Sequence, residues 1–531
     1  MKSFNTAAVC IPEKHYMVDL SERVMEIKKL VDGGKYFTIN RPRQYGKTTT
    51  LTALQRVLTN EYIVLNLSFA RVTEENFKTE QSFVKSFCRL FKRNPTLYRS
   101  IPEQIRNQFE DYLSRKDEKA KMDELFLTLG EWCEISEKPI VLIIDEVDSA
   151  TNNQVFLDFL ALLRDGYISR DAENIPTFQS VILAGVTDVK HLKSKIRDDD
   201  QHKVNSPWNI AADFDIDMSL HETGIQGMLD EYKADHNLLI NTAEIARQIH
   251  EYTNGYPYLV SRICEVIDQK LVPNTFTALE KAWTIYGVDE AVKFILSETG
   301  NPLFESLTGE LTNHPNLKYK LRHLLLRGES IAWLPYDEDQ QQLFMYGFIR
   351  NSHNTVTVSN RMFEMLLYTH FIGESDQNND LKQIAAGMKS AFVDDDGWLD
   401  VPKMMDHFVR EHNRIHKDNT EKFIEEEGRE RFITYVSGII NGTGTYSVEE
   451  RLRDYRRTDL IIHYLGRRYI IEMKIWHGER YNAEGEKQLS GYLDYWDLKV
   501  GYMLSFSFNK NKQPGLHQVH IGDRLLYEAV V

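Results

Sequence analysis

A glycine-lysine-threonine segment between a predicted strand and a predicted helix constrains the fold of this chain more than any other feature. Residues 40–50 read NRPRQYGKTTT, follow an apolar strand and open a helix in which leucines recur every three or four residues. Such a strand, loop and helix N-terminus direct backbone N–H groups and the positive end of the helix dipole at one point, which suits a polyphosphate. Residues 46–48 fit the second half of the pattern G-x-x-x-x-G-K-[ST], whereas Arg41 replaces its first glycine.

The roles of these residues follow from the chemistry of a bound nucleotide. The Lys47 ammonium would reach the β- and γ-phosphates, and the Thr48 hydroxyl would hold Mg²⁺. A second apolar strand ends at two carboxylates, of which Asp145 can bind Mg²⁺ through water and Glu146 can polarise the attacking water. An ordinary helix start and a capped turn are the alternatives, but the two halves together predict a site for ATP and Mg²⁺.

The order of apolar and amphipathic stretches predicts an α/β chain of several domains, as expected for 531 residues. Over residues 1–225 short apolar runs alternate with helical stretches, which predicts a parallel sheet covered on both faces. Residues 226–300 are predicted to be helical. Residues 301–375 predict a winged-helix-like module, because residues 315–372 read as helix, helix, hairpin and helix. Such a module binds DNA in some proteins and packs as an adaptor in others. Residues 381–531 are predicted to form a separate α+β unit.

These motifs resemble the AAA-like ATPase family, found mostly in bacteria, whose members commonly carry a Pro-Arg pair, here Pro42 and Arg43, before Gly-Lys-Thr. The resemblance covers residues 5–300. It implies an AAA-like P-loop NTPase core with a helical lid, and sites that are completed at the interfaces of an oligomer. Three further segments support it: residues 180–187, 205–209 and 255–260.

The resemblance also implies roles for residues outside the loop. Thr187 would be the polar sensor at a strand tip facing the γ-phosphate, Pro257 would lie in the lid near the base, and Arg262 is a second sensor candidate. Arg164 or Arg170 is implied as an arginine finger for a neighbouring subunit, with a surface salt bridge as the alternative for each. The implied nucleotide-binding set is Arg43, Gly46, Lys47, Thr48, Thr49, Asp145, Thr187, Pro257 and Arg262.

A second group of polar residues lies in a predicted hairpin at residues 458–476. Two apolar-rich strands flank a turn at Gly466. Their pairing brings Asp459 of the first strand close to Glu472 and Lys474 of the second, and these two point to the same face because they are two residues apart. The carboxylates would hold a metal ion, while Lys474 orients or deprotonates water and offsets charge on a phosphate.

The spacing Asp-x12-Glu-x-Lys resembles the PD-(D/E)XK nuclease superfamily, although Thr458 replaces the first proline. By this resemblance Glu430, at the edge of an amphipathic helix, would be a first metal ligand, with Glu426 as the fallback. Gln488 and Tyr492, on one helix face, resemble the RecB-type branch, in which the pair helps to position DNA and the site. The resemblance covers the C-terminal unit and implies the nuclease-like domain that often follows this ATPase. A hairpin with exposed charges, or a retained fold without activity, is the alternative.

Charge and cysteine content narrow the protein classes further. The net charge is −15, but residues 381–531 hold 22 basic against 24 acidic residues, so this part is nearly neutral. Its arginines at residues 451–468 could meet phosphates or form a solvated charged face. The four cysteines include no C-x-x-C pair, which argues against a clustered-thiol zinc site and a disulfide framework. No signal or membrane-spanning segment is expected, which favours the cytoplasm.

These features predict an ATP-binding and ATP-hydrolysing AAA-like ATPase coupled to a metal-dependent nuclease that cleaves the phosphodiester bonds of nucleic acid. The expected cofactors are ATP and Mg²⁺, with Mn²⁺ as a substitute at the nuclease site. The expected partners are nucleic acid, DNA in preference to RNA, and further copies of this chain, with no membrane. Family association suggests defence against foreign DNA. The alternative is an ATPase switch whose inactive nuclease-like domain binds nucleic acid or a protein partner without cleavage.

Overall fold

The chain divides into two compact units. The first comprises residues Met1–His236, Gly255–Arg262 and Gln342–Gly347, and the second comprises Asn237–Asn254, Ile263–Gln341 and Phe348–Val531. No helix of the described residues is both long enough and apolar enough to cross a bilayer. The computed structural model describes residues 2–115, 120–151, 153–186, 189, 207–272, 275–327, 331–373, 379–415, 425–440, 443–451, 457–475, 489–493, 498–507, 513–522 and 524–531.

A four-stranded parallel sheet forms the centre of the first unit. Its spatial order is β1-β4-β3-β2. The register pairs Asn40 with Gly185 and Ser68 with Asp145, so the carboxyl ends of the strands meet at one edge. In parallel sheets this edge is where ligands bind. The strands are β1 (Phe37–Asn40), β2 (Ile63–Ser68), β3 (Ile140–Asp145) and β4 (Ser180–Gly185).

Both faces of this sheet are apolar and covered by helices. Every residue of β3 is buried, because alternate side chains serve opposite faces. Val141 and Ile143 pack with residues of α1 and α2, whereas Leu142 and Ile144 pack with residues of α3 and α7. The predicted doubly covered parallel sheet is therefore confirmed. The helices of residues 1–236 are α1 (Ser21–Asp32), α2 (Lys47–Leu58), α3 (Glu80–Lys92), α4 (Pro95–Ser100), α5 (Glu103–Ser114), α6 (Met122–Ile135), α7 (Gln154–Glu173) and α8 (Glu222–His236).

The chain from residue 237 to residue 373 is mainly helical. Its one small sheet is an antiparallel hairpin of β5 (Ile349–Ser352) and β6 (Thr355–Val358), so the predicted order of helix, helix, hairpin and helix is confirmed within the described residues. The division into four domains stays a prediction. The helices are α9 (Thr242–Thr253), α10 (Pro257–Val266), α11 (Leu279–Ala282), α12 (Ile285–Ser297), α13 (Pro302–Asn313), α14 (Pro315–Arg327), α15 (Glu338–Met345) and α16 (Arg361–Gly373).

A six-stranded mixed sheet forms the C-terminal part of the second unit. Its order is β11-β12-β10-β9-β8-β7, with β10 parallel to both β9 and β12. The predicted hairpin is confirmed as β8–β9, which turns at Leu465 and Gly466 with φ values of 48° and 81°, a favoured two-residue connection. The elements are α17 (Asn379–Gly387), α18 (Val401–Ile415), α19 (Glu425–Ile440), β7 (Gly444–Arg451), β8 (Arg457–Tyr464), β9 (Arg467–Ile475), β10 (Val500–Phe506), β11 (Gly515–Ile521) and β12 (Arg524–Val530).

Candidate functional site

The loop between β1 and α2 ends in a left-handed turn at the start of the helix. Helix α2 begins at Lys47, and the preceding Gly46 has φ 77°. This conformation favours glycine, and a Cβ at this position would also lie 3.7 Å from the Pro257 ring. Because the first N–H groups of a helix have no partner within it, the turn presents donors to an anion.

The contacts of Arg41 explain how the loop closes without the first glycine of the pattern. The Arg41 backbone N–H donates to the Gly185 carbonyl at 3.1 Å. Its guanidinium donates to the Ile216 carbonyl at 2.9 Å and lies 5.3 Å from the centre of the Phe214 ring. The side chain is therefore bound to residues that follow the sheet, and the loop is tied to β4 through its backbone.

Lys47 is held by its own loop. Its ammonium donates to the carbonyls of Arg41 and Pro42 at 2.7 and 2.8 Å. Burial lowers the pKa of Lys47 to about 8, while the carboxylates of Asp148, Asp145 and Glu146 act in the opposite direction. Phosphate oxygens would replace the two carbonyls and favour the charged form of the ammonium.

Thr48 and Asp145 form the second part of the site. The Thr48 hydroxyl donates to Asp145 Oδ2 at 2.7 Å, although 97 residues separate them. A hydroxyl and a carboxylate side by side are hard oxygen donors, so this pair fits Mg²⁺. Glu146 follows with φ 57°, an uncommon conformation for a non-glycine residue, and its exposed carboxylate side chain lines the cavity described below. This is the position expected for a residue that orients water.

A cavity of about 720 Å³ opens beside these groups, within the size range of ligand sites. It brings together seven predicted residues of the nucleotide site and the predicted Glu146. Thr187 lies outside the described residues, and Arg262 is not among the described lining residues. The predicted residues that line it are Arg43, Gly46, Lys47, Thr48, Thr49, Asp145, Glu146 and Pro257.

Part of the cavity wall was not anticipated from the sequence. Residues 5–10, Asp148, Val186 and Ser261 line it as well. The N-terminal segment carries no motif, but the Cys10 backbone N–H donates to the Thr49 hydroxyl at 3.2 Å. These residues reach the cavity through tertiary packing, so no sequence pattern could have identified them.

Two residues were suggested as arginine fingers. The Arg170 guanidinium donates to the carbonyls of Phe178 and Gln179 at 3.1 and 2.9 Å and to that of Gly34 at 2.9 Å. These contacts join the end of α7 to the strands, which favours the structural alternative for Arg170. Arg164 is half-buried in α7.

Comparison with known proteins assigns the chain to a family. The model of the AAA-like domain matches residues 13–369. The chain belongs to the AAA-like domain family. Membership supports ATP binding and ATPase activity of the P-loop type for the AAA-like region, and the residues after 369 lie outside the match.

Solved structures resemble this AAA-like chain over about two thirds of its length. The Walker-type ATPase PABY2304 of Pyrococcus abyssi is similar with TM-score 0.45 and 15% identity, over 68% of this chain and 99% of that one. The RuvB Holliday junction branch migration motor of Thermotoga maritima is similar with TM-score 0.34 and 12% identity, over 67% and 95%. The ORC1 protein of Aeropyrum pernix, in complex with DNA, is similar with TM-score 0.31 and 9% identity, over 66% and 93%. No curated protein matches the AAA-like chain.

Outside the AAA-like region, the β8–β9 hairpin carries a buried ion pair. Glu472 is completely buried, and its Oε1 lies 3.0 Å from the ammonium of Lys474, whose side chain is 18% exposed. Asp459 belongs to β8. The antiparallel register pairs Ile461 with Ile470, and two residues further along it the Asp459 backbone lies opposite Glu472. The Asp459 side chain lies outside the described residues, as does Gln488, whereas Tyr492 is completely buried.

Two further polar residues share the face of this ion pair. The register pairs Lys474 with Ser505, and Met503 with both Glu472 and Glu528. The Ser505 hydroxyl donates to Glu528 at 2.7 Å, and both residues are buried. Sequence reasoning missed them because three strands must be aligned to bring them together. We call Glu472, Lys474, Ser505 and Glu528 the C-terminal polar face.

Glu430 has a partner that the metal-ligand prediction did not include. It lies in α19, and its Oε1 is 3.3 Å from the guanidinium of Arg322 in α14. Glu426 lies in the same helix, but its side chain is outside the described residues. No group of three or more His, Cys, Asp or Glu side chains converges in the part of the chain that the structure describes. The complete predicted metal set, which includes Asp459, stays a prediction.

Proposed function

We propose that this chain is an ATPase whose nucleotide cycle controls a metal-dependent nuclease-like domain acting on the phosphodiester bonds of nucleic acid. The observation that carries the proposal is the presence of two polar sites in one chain. Lys47, Thr48 and Asp145 surround the nucleotide cavity, and Glu472 with Lys474 forms a buried ion pair in a strand that is otherwise apolar.

At the nucleotide site each residue has one task. Lys47 binds the β- and γ-phosphates and neutralises charge that develops during phosphoryl transfer. Thr48 and Asp145 would hold Mg²⁺, which would offset the negative charge of the phosphates. Glu146 orients the attacking water from its exposed position at the end of β3.

At the C-terminal polar face the ion pair supports hydrolytic chemistry. A buried carboxylate and ammonium lose hydration energy that their mutual attraction repays only in part, so such a pair contributes little to stability. Their burial together is better explained by use in a site. Asp459 and Glu472 would hold Mg²⁺ or Mn²⁺, which would activate water for hydrolysis, and Lys474 would orient the attacking water and offset charge on the phosphate.

Contacts inside the second unit support coupling between the predicted lid and β9. The Arg468 guanidinium donates to Gln248 of α9 at 3.1 Å and lies 3.8 Å from Glu251. Gln248 and the Tyr252 hydroxyl each donate to Asp289 of α12 at 2.9 Å. The start of β9, the strand that carries Glu472 and Lys474, is therefore hydrogen-bonded to α9, which is in turn hydrogen-bonded to α12.

A second contact joins the same helices to β8. Arg361 lies 4.5 Å from the centre of the Tyr252 ring and donates to the imidazole of His463. Burial, together with the positive charges of Arg361 and Arg468, lowers the pKa of His463 well below its usual value. The neutral ring can then accept a hydrogen bond from the guanidinium. A displacement of α9 would be transmitted to both strands of the hairpin.

The remaining partners belong to the same proposal. DNA in preference to RNA is the proposed substrate, because the winged-helix-like order of elements and the arginine-rich segment accompany the nuclease-like pattern. Assembly with further copies of the chain and a role in defence against foreign DNA follow from the family resemblance.

A switch without cleavage is the second candidate function. The 3.3 Å contact between Glu430 and Arg322 favours it, because a carboxylate paired with a guanidinium is not free to complete a metal site. In this alternative the ATP cycle changes how the nuclease-like domain binds nucleic acid or a protein partner.

The deciding experiment compares wild type with variants of the ion pair on labelled single- and double-stranded DNA, with ATP and either Mg²⁺ or Mn²⁺. Lys474→Ala removes the ammonium, and the double variant Glu472→Gln/Lys474→Gln removes both charges without leaving one buried alone. Lys403→Ala, at an exposed position of α18, is the matched control.

We expect cleavage by wild type and the control, and none by either ion-pair variant. Inactivity of wild type on every substrate would reject the nuclease and leave the switch. Equal activity of all four proteins would show that another site or a contaminant cleaves the DNA.

A further inference from the structure

One carboxylate in the nucleotide cavity has a contact that the roles above do not use. Asp148 lies in the short helix Val147–Ala150 that follows β3, three residues after Asp145. Both of its carboxylate oxygens lie 2.9 Å from the backbone nitrogen of Val186, directly after β4. The end of one strand is thereby hydrogen-bonded to the end of its neighbour.

Together with a contact of the Gly185 carbonyl, this hydrogen bond holds both sides of the peptide between Gly185 and Val186. We call this pair of contacts, from Arg41 and Asp148, the clamp. The Gly185 carbonyl accepts from the Arg41 backbone N–H of the phosphate-binding loop, and the N–H of the same peptide, on Val186, donates to Asp148. The two polar groups of a peptide point in opposite directions. The tip of β4 is therefore held on one side by the loop and on the other side by the end of β3.

Gly185 leaves the space that the clamp needs. A Cβ at this position would lie 3.0 Å from Asp148 Oδ1 and 3.0 Å from Val147 Cγ2. Both distances are tighter than ordinary van der Waals contacts, so a side chain here would force the Asp148 carboxylate or the Val147 side chain to shift by a few tenths of an ångström.

Asp148 also acts on the residue that binds the phosphates. It lines the same cavity as Lys47. Among the carboxylates that oppose the lowered pKa of Lys47, Asp148 has a larger effect than Asp145 or Glu146. The residue that holds the tip of β4 therefore lies in the same cavity as the phosphate-binding lysine, and its carboxylate acts on the pKa of that lysine.

We propose that Asp148 is a positioning residue that links occupation of the triphosphate site at Lys47 to the tip of β4. This inference rests on the proposed ATPase function. The loop that holds Lys47 contacts the Gly185 carbonyl through the Arg41 backbone N–H, and Asp148 accepts from the other side of the same peptide, so a change in the loop on phosphate binding reaches the tip of β4. The next residue along the chain is the predicted sensor Thr187, which lies outside the described residues.

The test separates the hydrogen bond from the charge. Asp148→Ala removes both, whereas Asp148→Asn keeps an amide oxygen that can accept from Val186 but has no charge. Gly185→Ala keeps the carboxylate and crowds it. Asp165→Ala, at an exposed position of α7, is the control. Thermal unfolding of each variant verifies that it is folded.

Two quantities are measured for each full-length protein. The first is ATP hydrolysis with Mg²⁺, resolved into kcat and KM. The second is the protection of β4 backbone amides from hydrogen exchange on addition of a non-hydrolysable ATP analogue, which requires binding but no turnover.

We expect kcat to fall about tenfold or more in Asp148→Ala and Gly185→Ala, with KM within about threefold of wild type. Asp148→Asn should retain most of the rate, and analogue-induced protection of β4 should be lost in the two clamp-breaking variants alone. The proposal would be overturned if Asp148→Ala kept the wild-type kcat and the wild-type protection of β4 amides on addition of the analogue. Equal loss of analogue affinity in Asp148→Ala and Asp148→Asn would also overturn it, because Asp148 would then act through its charge on binding.

The proposed ATPase function and the clamp fail in different ways. A wild type that binds the analogue, protects β4 and hydrolyses no ATP would reject the ATPase function and leave the clamp supported. A wild type that hydrolyses ATP without any change at β4 would reject the clamp alone. A wild type that binds no analogue would overturn both.

Discussion

The nucleotide site and the C-terminal polar face use half-buried lysines in different ways. Lys47 donates to two backbone carbonyls beside an open cavity, so its partners can be exchanged for phosphate oxygens without leaving a charge unpaired. Lys474 pairs with the completely buried carboxylate of Glu472. Lys47 is therefore positioned to bind a ligand, whereas Lys474 neutralises a carboxylate of the protein itself. Variants of the two lysines should therefore affect different quantities.

The largest effect is expected on the stability of the second unit. Lys474→Ala leaves the Glu472 carboxylate buried without its ammonium, which costs about 3–5 kcal/mol for a buried pair. The double variant Glu472→Gln/Lys474→Gln should lose much less. Urea unfolding followed by tryptophan fluorescence measures both. Equal loss in the two variants would mean that the pair is not electrostatically coupled.

The next largest effect concerns ATP affinity. Lys47→Ala removes charge-assisted hydrogen bonds worth about 1.5–3 kcal/mol, so binding should weaken about 10- to 100-fold. The free energy of unfolding should change far less than in Lys474→Ala, because Lys47→Ala leaves two backbone carbonyls without their donor but leaves no buried charge unpaired. Calorimetric titration with ATP and Mg²⁺ measures the affinity, and Lys29→Ala, at an exposed position of α1, is the control. Unchanged affinity in Lys47→Ala would reject the nucleotide site.

A smaller effect is expected from pH. Burial lowers the pKa of Lys47 to about 8, so the ammonium loses its proton above that pH. Phosphates bind the protonated form, so ATP affinity should fall with rising pH above 8, by up to about tenfold per pH unit. Lys47→Arg stays charged and should flatten this dependence between pH 8 and 9.5. The same slope in both proteins would assign the titration to another group.

The smallest effect concerns the contact between Arg322 and Glu430. Because Arg322 is partly exposed, their pair is worth only about 0.2–1 kcal/mol. Arg322→Ala frees the Glu430 carboxylate, and cleavage at low Mg²⁺ concentration should rise about two- to fivefold if Glu430 is a ligand. Arg410→Ala, at an exposed position of α18, is the control. If wild type cleaves DNA and Arg322→Ala cleaves it at the same rate, Glu430 is not a metal ligand.

Local patterns predicted the elements better than the contacts between them. The glycine-lysine-threonine segment placed the start of α2 at Lys47, and the alternation of apolar residues around Gly466 placed the β8–β9 hairpin. In both cases neighbouring residues impose the backbone conformation, so the signal is present in a few consecutive positions. The partner of Thr48 could also be anticipated, because the carboxyl ends of parallel strands meet at one edge.

Other contacts between residues that are far apart in the chain could not be predicted from the sequence. The partner of Glu430 lies 108 residues away in another helix, and the bond from Ser505 to Glu528 requires the register of β10 with β12. The role of Arg41 likewise depends on where residues 214–216 return to the sheet. None of these depends on a local pattern, since each requires a specific packing of distant elements.

The sequence by itself determined that this chain contains an AAA-like nucleotide site, because glycine, lysine and threonine at the start of a helix and carboxylates at the end of a strand are chemical requirements that residue order satisfies directly. Only the tertiary structure decided that one peptide at the tip of β4 is held between Arg41 and Asp148, and that Glu430 meets Arg322. The physical reason is that hydrogen bonds and ion pairs act over a few ångströms, and distances of that size between remote residues exist only after the elements have packed.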